Sequence, residues 1–286
     1  MQEPKVALVT GSSSGIGLET AILLARNGFY TYASMRNLEK SAKITEIANR
    51  ENLPLQIIQL DVNNDESVKQ AIDKIVQEKD RIDVLVNNAG YGLFGSVDDT
   101  TIEEIKAQFE TNFFGIIRVT QKVLPIMRMR NNGSGDSSTI VNISSVGGKM
   151  SFPLLSAYNS TKFALEGLSE SMAYELEPFG IRVVIIEPGF IRTNIASSSI
   201  LAKKASDPDS PYFSFTQKLA NHFNSMVDNT STSSPPEQVA KTILQAITSK
   251  NPKLRYTVGN DAESIIKARN SMPDEEFMET IKKQFQ

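Results

Sequence analysis

Tyr158 and Lys162 stand four residues apart in the run YNSTK, near the start of a stretch with helical apolar spacing, so both project from one helix face. A phenol beside an ammonium makes proton-transfer chemistry available. The cation stabilises the phenolate and lowers a pKa of about 10 towards neutrality. Ser145, at the end of a β-branched run, can donate a hydrogen bond to the substrate oxygen that Tyr158 would serve. A Tyr and a Lys at this spacing also occur on any solvated helix face, and it is the surrounding motifs that give them weight.

The first of these is TGSSSGIG, Thr10 to Gly17, which follows the first apolar run and opens a helical pattern. Gly11, Gly15 and Gly17 let the chain turn sharply, approach a pyrophosphate and pack helix on strand. The helix N-terminus then offers unpaired N–H groups to the anion. Ser13, Ser14 and Ile16 fall in the same turn. After the second run the sequence is Ala33-Ser34-Met35-Arg36-Asn37, without the acidic residue that would bind the adenosine ribose hydroxyls and repel a 2′-phosphate. Arg36 supplies a cationic fork suited to that phosphate, with Ser34 as a second donor, which favours NADP(H) over NAD(H). Asp61 and Val62 close the third run. The Asp either caps the next turn or accepts from the adenine amino group. In Asn87-Asn88-Ala89-Gly90 small residues leave room for a flat-lying cofactor, and the asparagines can pin loop backbone.

These motifs need a frame, and the alternation of short β-branched runs with longer amphipathic windows supplies one. Strands are predicted at Val6 to Thr10, Thr31 to Ser34, Leu55 to Leu60, Val84 to Asn87, Thr139 to Ile143, Val183 to Ile186 and Tyr256 to Val258. Helical windows run over Ile16 to Asn27, Ser67 to Gln77, Ile102 to Met129 and Ala157 to Leu176. The fold expected is α/β: a single-domain, Rossmann-like, doubly wound parallel sheet of about seven strands over residues 1–286, with helices on both faces. The run NNGSGDSS, Asn131 to Ser138, reads as an exposed loop. Residues 190–236 read as a partly helical substrate flap, carrying Ile200, Leu201, Tyr212, Phe213, Phe215, Leu219, Phe223 and Met226. A C-terminal extension begins at about residue 260.

Composition narrows the function classes. Thirty basic and 33 acidic residues, net −3, provide no electrostatic footprint for nucleic acid or anionic lipid. With no cysteine there is no disulfide and no thiolate nucleophile or ligand, and one histidine makes a His-rich metal cluster impossible, so no metal site is expected. The N-terminal apolar run is five residues long, too short for a signal core or a membrane span, and a cytoplasmic protein without membrane insertion is expected.

In order and spacing, TGSSSGIG, NNAG, Asn112, IVNISS with Ser145, YNSTK and Pro188-Gly189 with Thr193 resemble the short-chain dehydrogenase/reductase family over about residues 5 to 260. The resemblance implies a catalytic tetrad of Asn112, Ser145, Tyr158 and Lys162. Ser145 is preferred over Ser144 because thirteen residues separate it from Tyr158, as in the family. Tyr158 would exchange a proton with the carbonyl or alcohol oxygen as hydride moves to or from the nicotinamide. Lys162 would bind the nicotinamide ribose and lower the Tyr158 pKa, and the Asn112 backbone would hold a relay water. Asp61, Val62, Asn88, Ala89, Gly90, Pro188, Gly189, Ile191 and Thr193 carry over as cofactor contacts. NNAGYGLFGSV and NPKLRY look most like the hydroxysteroid and retinol dehydrogenase branch. The flap residues, with Leu93, Phe94, Val146, Met150, Phe152 and Leu154, would make an apolar pocket for a lipophilic ketone, aldehyde or alcohol. His222 is the flap's one imidazole, able to reach a distal substrate oxygen or to be structural. The rival readings are an acyl-thioester (3-oxoacyl) reductase of the same fold and a non-catalytic dinucleotide sensor. The resemblance also implies a homodimer or homotetramer built through the Ile102 and Ala157 segments.

Overall fold

The structure, a computed structural model, describes residues 3–131, 137–192 and 200–285. Seven strands form one sheet: β1 (Val6–Val9), β2 (Tyr30–Met35), β3 (Leu55–Gln59), β4 (Val84–Asn87), β6 (Ser138–Ile143), β7 (Ile181–Pro188) and β9 (Arg255–Val258). They lie in the order β3-β2-β1-β4-β6-β7-β9, and every neighbouring pair is parallel. Each expected strand is therefore present, within a few residues at its ends. A separate parallel pair joins β5 (Leu93–Phe94) to β8 (Ile200–Leu201).

A parallel sheet must be covered on both faces, and the period-2 alternation of its strands sorts side chains into two cores. Ala7, Val9, Val84, Val86, Val141, Ile143, Val184 and Ile186 face one core, shared with helices α1 (Gly15–Arg26), α2 (Ala42–Glu51) and α8 (Pro236–Thr248). Val6, Leu8, Leu85, Ile140, Ile181 and Val183 face the other, shared with α3 (Asp65–Lys79), α5 (Gly115–Asn131) and α6 (Ser156–Leu176). The flap carries β8 and α7 (Phe213–Asp228), and the chain closes with α9 (Asn260–Ser271) and α10 (Asp274–Phe285).

The window expected as one helix from Ile102 to Met129 is helical throughout but not α-helical throughout. Helix α4 (Ile102–Phe109), started by a Thr101/Glu104 capping box, ends in a π turn over Glu110–Phe114 before α5 begins. A π turn inserts one residue without disturbing the apolar spacing on either side, so periodicity did not reveal it. Of the expected loop, residues 132–136 lie outside the described residues. Its ends are closed by Asn131, whose Nδ2 donates to the Phe179 and Gly180 carbonyls and whose Oδ1 accepts from Ser138 Oγ. Helices α2, α8, α9 and α10 lie outside the helical windows expected from the sequence.

The start of β1 is tied to β4 by a buried ion pair. Asp83, 3% exposed, takes both Arg81 Nε (2.8 Å) and Nη2 (2.7 Å), and its Oδ2 also accepts the Val6 N–H at 2.7 Å. Asp83→Ala leaves a buried guanidinium and a backbone donor short of their acceptor. The expected loss is roughly 3–5 kcal/mol of unfolding free energy in a urea titration; a change below about 1 kcal/mol contradicts this account.

Candidate active site

The carboxyl ends of β1, β4, β6 and β7 open on one side of the sheet, where the strand order reverses between β1 and β4. Between β1 and α1 the glycine-rich turn passes through left-handed backbone at Gly11 (φ 69°) and Gly15 (φ 56°). Ser14 occupies the N-cap position of α1 without making a side-chain cap, so the first N–H groups of the helix are not spent on it. The turn is pinned from the neighbouring strand. Asn88 Nδ2 donates to the Thr10 and Gly11 carbonyls at 2.9 and 3.1 Å, and the Asn88 and Ala89 N–H groups donate to Thr10 Oγ1. Gly17 is where helix and turn meet most closely: a Cβ there would lie 2.4 Å from the Gly11 carbonyl oxygen and 2.5 Å from Asn88 Nδ2. This cradle fits a dinucleotide pyrophosphate.

Asp61 turns back on its own loop: its Oδ1 accepts the Asn63 N–H and its own N–H donates to Ser67 Oγ. The turn-forming alternative is thus realised. Val62 is buried against Gly115, and its carbonyl accepts from Arg118 at 2.7 Å. Arg36 is exposed just beyond β2. Burial pushes the nearby Tyr91 phenol up, against the pull of the Arg36 charge. Ser34, expected as a second phosphate donor, does not serve: its side chain is fully buried, because strand alternation points it into the sheet layer.

Ser145, Tyr158 and Lys162 come together on a cavity of about 360 Å³, which Ile16, Asn88, Gly90, Pro188, Gly189 and Ile191 also line. The Ser145 side chain shares the cavity wall with the Tyr158 phenol and accepts the Gly147 N–H at 3.0 Å. Lys162 Nζ lies 5.7 Å from the centre of the Tyr158 ring and donates to the Ile143 carbonyl at 2.8 Å. Burial dominates the electrostatics. It pushes the Tyr158 phenol up against the opposing effect of Ser145, and pulls the Lys162 ammonium down to about 8. The expected lowering of the Tyr158 pKa by Lys162 is not the net direction here: burial of the phenol raises it, with Ser145 opposing. At neutral pH the phenol holds its proton.

Asn112 lies in the π turn and is 1% exposed. Its Nδ2 donates to the Tyr91 carbonyl and Thr161 Oγ1, and its Oδ1 accepts the Tyr91 N–H. The side chain thus clamps the residue 91 turn rather than lining the cavity. Thr193 lies outside the described residues. The rest of the cavity wall is mostly apolar, with Asn88, Ser144 and Asn224 among its polar members. Phe223 from α7 packs against Phe94, Phe152 and Phe190 with ring centres 5.3, 5.8 and 5.7 Å away.

Residues 5–204 match the short chain dehydrogenase family profile. The chain belongs to the short-chain dehydrogenase/reductase family. It is 39% identical over 284 residues to the uncharacterized oxidoreductase YusZ of Bacillus subtilis, covering 98% of each chain. It is 38% identical over 262 residues to retinol dehydrogenase 8 of Bos taurus, covering 88% of this chain and 80% of that one. A solved short-chain dehydrogenase from Streptomyces avermitilis superposes with a TM-score of 0.83 at 32% identity, over 99% of this chain and 98% of the other. This short-chain dehydrogenase is accordingly an NAD(P)-dependent oxidoreductase of CH–OH groups. Structures of the fold have been solved with NAD and with NADP bound. Among the described residues, no helix is long and apolar enough to cross a membrane.

Of the pocket residues expected from the sequence, Phe94, Val146, Phe152, Ile200, Leu201 and Phe223 line the cavity of this dehydrogenase, whereas Leu93, Met150, Leu154, Tyr212, Phe213, Phe215, Leu219 and Met226 do not. Sequence reading missed Leu155, Phe190, Ala220, Asn224 and Val227. The signal for three of these was present: Ala220, Phe223, Asn224 and Val227 recur at three and four, marking one face of α7. Gly17→Ala should weaken NADPH binding by about tenfold or more in a fluorescence titration, since the added methyl separates helix from turn. Unchanged affinity would contradict the cradle.

Proposed function

We propose that this chain moves a hydride between NADP(H) and the carbonyl or alcohol carbon of a lipophilic ketone, aldehyde or alcohol, of steroid-like or retinoid-like character. The observation that carries the reading is Ser145, Tyr158 and Lys162 brought together on the wall of a largely apolar cavity. A bound nicotinamide dinucleotide supplies or accepts the hydride.

In reduction, Tyr158 gives its phenolic proton to the carbonyl oxygen as hydride reaches the carbonyl carbon, so C=O becomes CH–OH. Ser145 donates a hydrogen bond to that oxygen throughout. Tyr158 is left as a phenolate, which the Lys162 ammonium stabilises, and Lys162 also holds the nicotinamide ribose. The Asn112 backbone, inside the π turn, holds the water that links Lys162 to solvent. Oxidation reverses each transfer. A phenol that keeps its proton at neutral pH is the form that reduction requires.

NADP(H) over NAD(H) is supported by the exposed Arg36 and by the absence of a carboxylate between Ala33 and Asn37. The lipophilic substrate is supported by the four clustered phenylalanines and by the similarity to retinol dehydrogenase 8. Self-association through α4 and α6 is supported by the exposed apolar side chains of Ile102, Phe163 and Tyr174.

A carbonyl panel from short aldehydes to steroids and retinal, followed by NADPH consumption, tests the substrate. Large apolar carbonyls should turn over fastest, and preference for short polar ones or for acyl thioesters would refute the lipophilic reading. On the best substrate Tyr158→Phe should lose roughly 10²–10⁴-fold in kcat with cofactor affinity retained; an active variant removes Tyr158 as the proton donor. Arg36→Ala should weaken NADPH binding and leave NADH binding unchanged, and equal affinities in both proteins would overturn the NADP(H) preference.

A further inference from the structure

One turn beyond Lys162 on α6 stands Glu166, a second buried ionisable side chain, 5% exposed. Its Oε2 accepts from Arg255 Nε at 3.0 Å. Arg255 comes from β9 at the sheet edge, and its Nη2 also bonds Glu170 Oε2 at 2.7 Å. The same Nε lies 3.6 Å from Oε1 of Glu187 in β7, which is 2% exposed and whose Oε2 accepts from Thr257 Oγ1 at 2.9 Å. One guanidinium thus faces three carboxylates, two of them buried. Glu166 Oε1, Glu187 Oε1 and Ser144 Oγ are buried without a hydrogen-bond partner. Ser144 Oγ, Glu166 Cγ and the Lys162 carbonyl all crowd Gly148, within 3.0 Å of where its Cβ would stand. The cluster is therefore packed directly against the catalytic turn of α6.

A buried carboxylate is costly unless something uses its charge. Among the described residues, no carboxylate lies within ion-pair distance of Lys162, yet the ammonium is buried and makes its hydrogen bond to a neutral carbonyl. Glu166 is at i+4 on the same helix, across protein rather than water, where a charge is poorly screened. The other charges facing Glu166 are Arg255 from β9, Glu187 from β7, Glu170 on its own helix and, at the edge of the cluster, Lys149.

We propose that Glu166, clamped by Arg255, is a positioning residue for the reaction, the buried counter-charge that keeps Lys162 protonated while it serves Tyr158. This rests on the reading of Lys162 given above. Two directions support it. The field of Glu166 opposes the burial that pulls Lys162 down. Burial, with the Glu166 charge adding to it, pushes Glu187 up, so the field of Glu166 is felt across this cluster.

Glu166→Gln tests this, because the amide can still accept from Arg255 while carrying no charge. The Lys162 titration is followed by NMR of protein carrying 13C-labelled lysine, with Lys162→Met assigning the resonance. Loss of the carboxylate should lower the Lys162 midpoint by about one pH unit, and the alkaline limb of NADPH-dependent reduction should move down with it. Glu166→Asp keeps the charge and should restore most of both shifts; it also serves if the Gln variant does not fold. An unmoved midpoint in Glu166→Gln, or an equal shift in both variants, overturns the proposal. The NMR midpoint is read without turnover, so failure of the Tyr158 assignment, seen as an active Tyr158→Phe, is distinguishable from failure of this inference.

Discussion

Parallel pairing of β1, β4, β6 and β7 sends the chain off the same edge of the sheet four times, and the site is assembled from what those four exits carry. The glycine-rich turn leaves β1, Asn88 to Gly90 leave β4, Ser145 follows β6 and Pro188-Gly189 end β7. Parallel strands require a crossover helix between them, so each exit loop is also a helix entrance with unpaired N–H groups or a capped first turn. The hydrogen bonds of Asn88 to Thr10 and Gly11 then lock two of these exits to each other. A slip of one residue in register would turn every core side chain to the wrong face, so burial of the two cores holds the site in place.

Burial that stabilises the frame also determines the chemistry within it. Desolvation favours the neutral forms of Tyr158 and Lys162 alike, raising one pKa and lowering the other. Their titrations are thereby driven apart, so the phenol keeps its proton through the range in which the Lys162 ammonium gives up its own. Remote charges act strongly in such surroundings, and the Arg255 cluster behind α6 is close enough to take part.

The substrate wall has a different origin. Its aromatic side chains come from β5, from the turn before α6, from the exit of β7 and from α7, segments separated by up to about 130 residues. Their edge-on and tilted contacts form a continuous surface. The β5–β8 pair draws the flap towards the residue 91 turn, which Asn112 and Gln108 hold through its backbone.

Local patterns were legible wherever a residue's job is done by its neighbours in the chain. Strand alternation, the glycines at 11, 15 and 17, and Tyr158 with Lys162 on one helix face all follow from short-range geometry, and with Ser145 they determined the fold class and reaction chemistry of this protein. Tertiary structure decided what depends on burial and on distant partners. It turned Ser34 into the sheet, committed the Asn112 side chain to the residue 91 turn behind a π turn that periodicity cannot register, and raised the Tyr158 pKa that the helix spacing alone would lower. It also brought Glu166, Glu187 and Arg255 together from three elements. Desolvation and Coulomb interactions depend on what surrounds a group in space, and sequence spacing describes only what stands beside it along the chain.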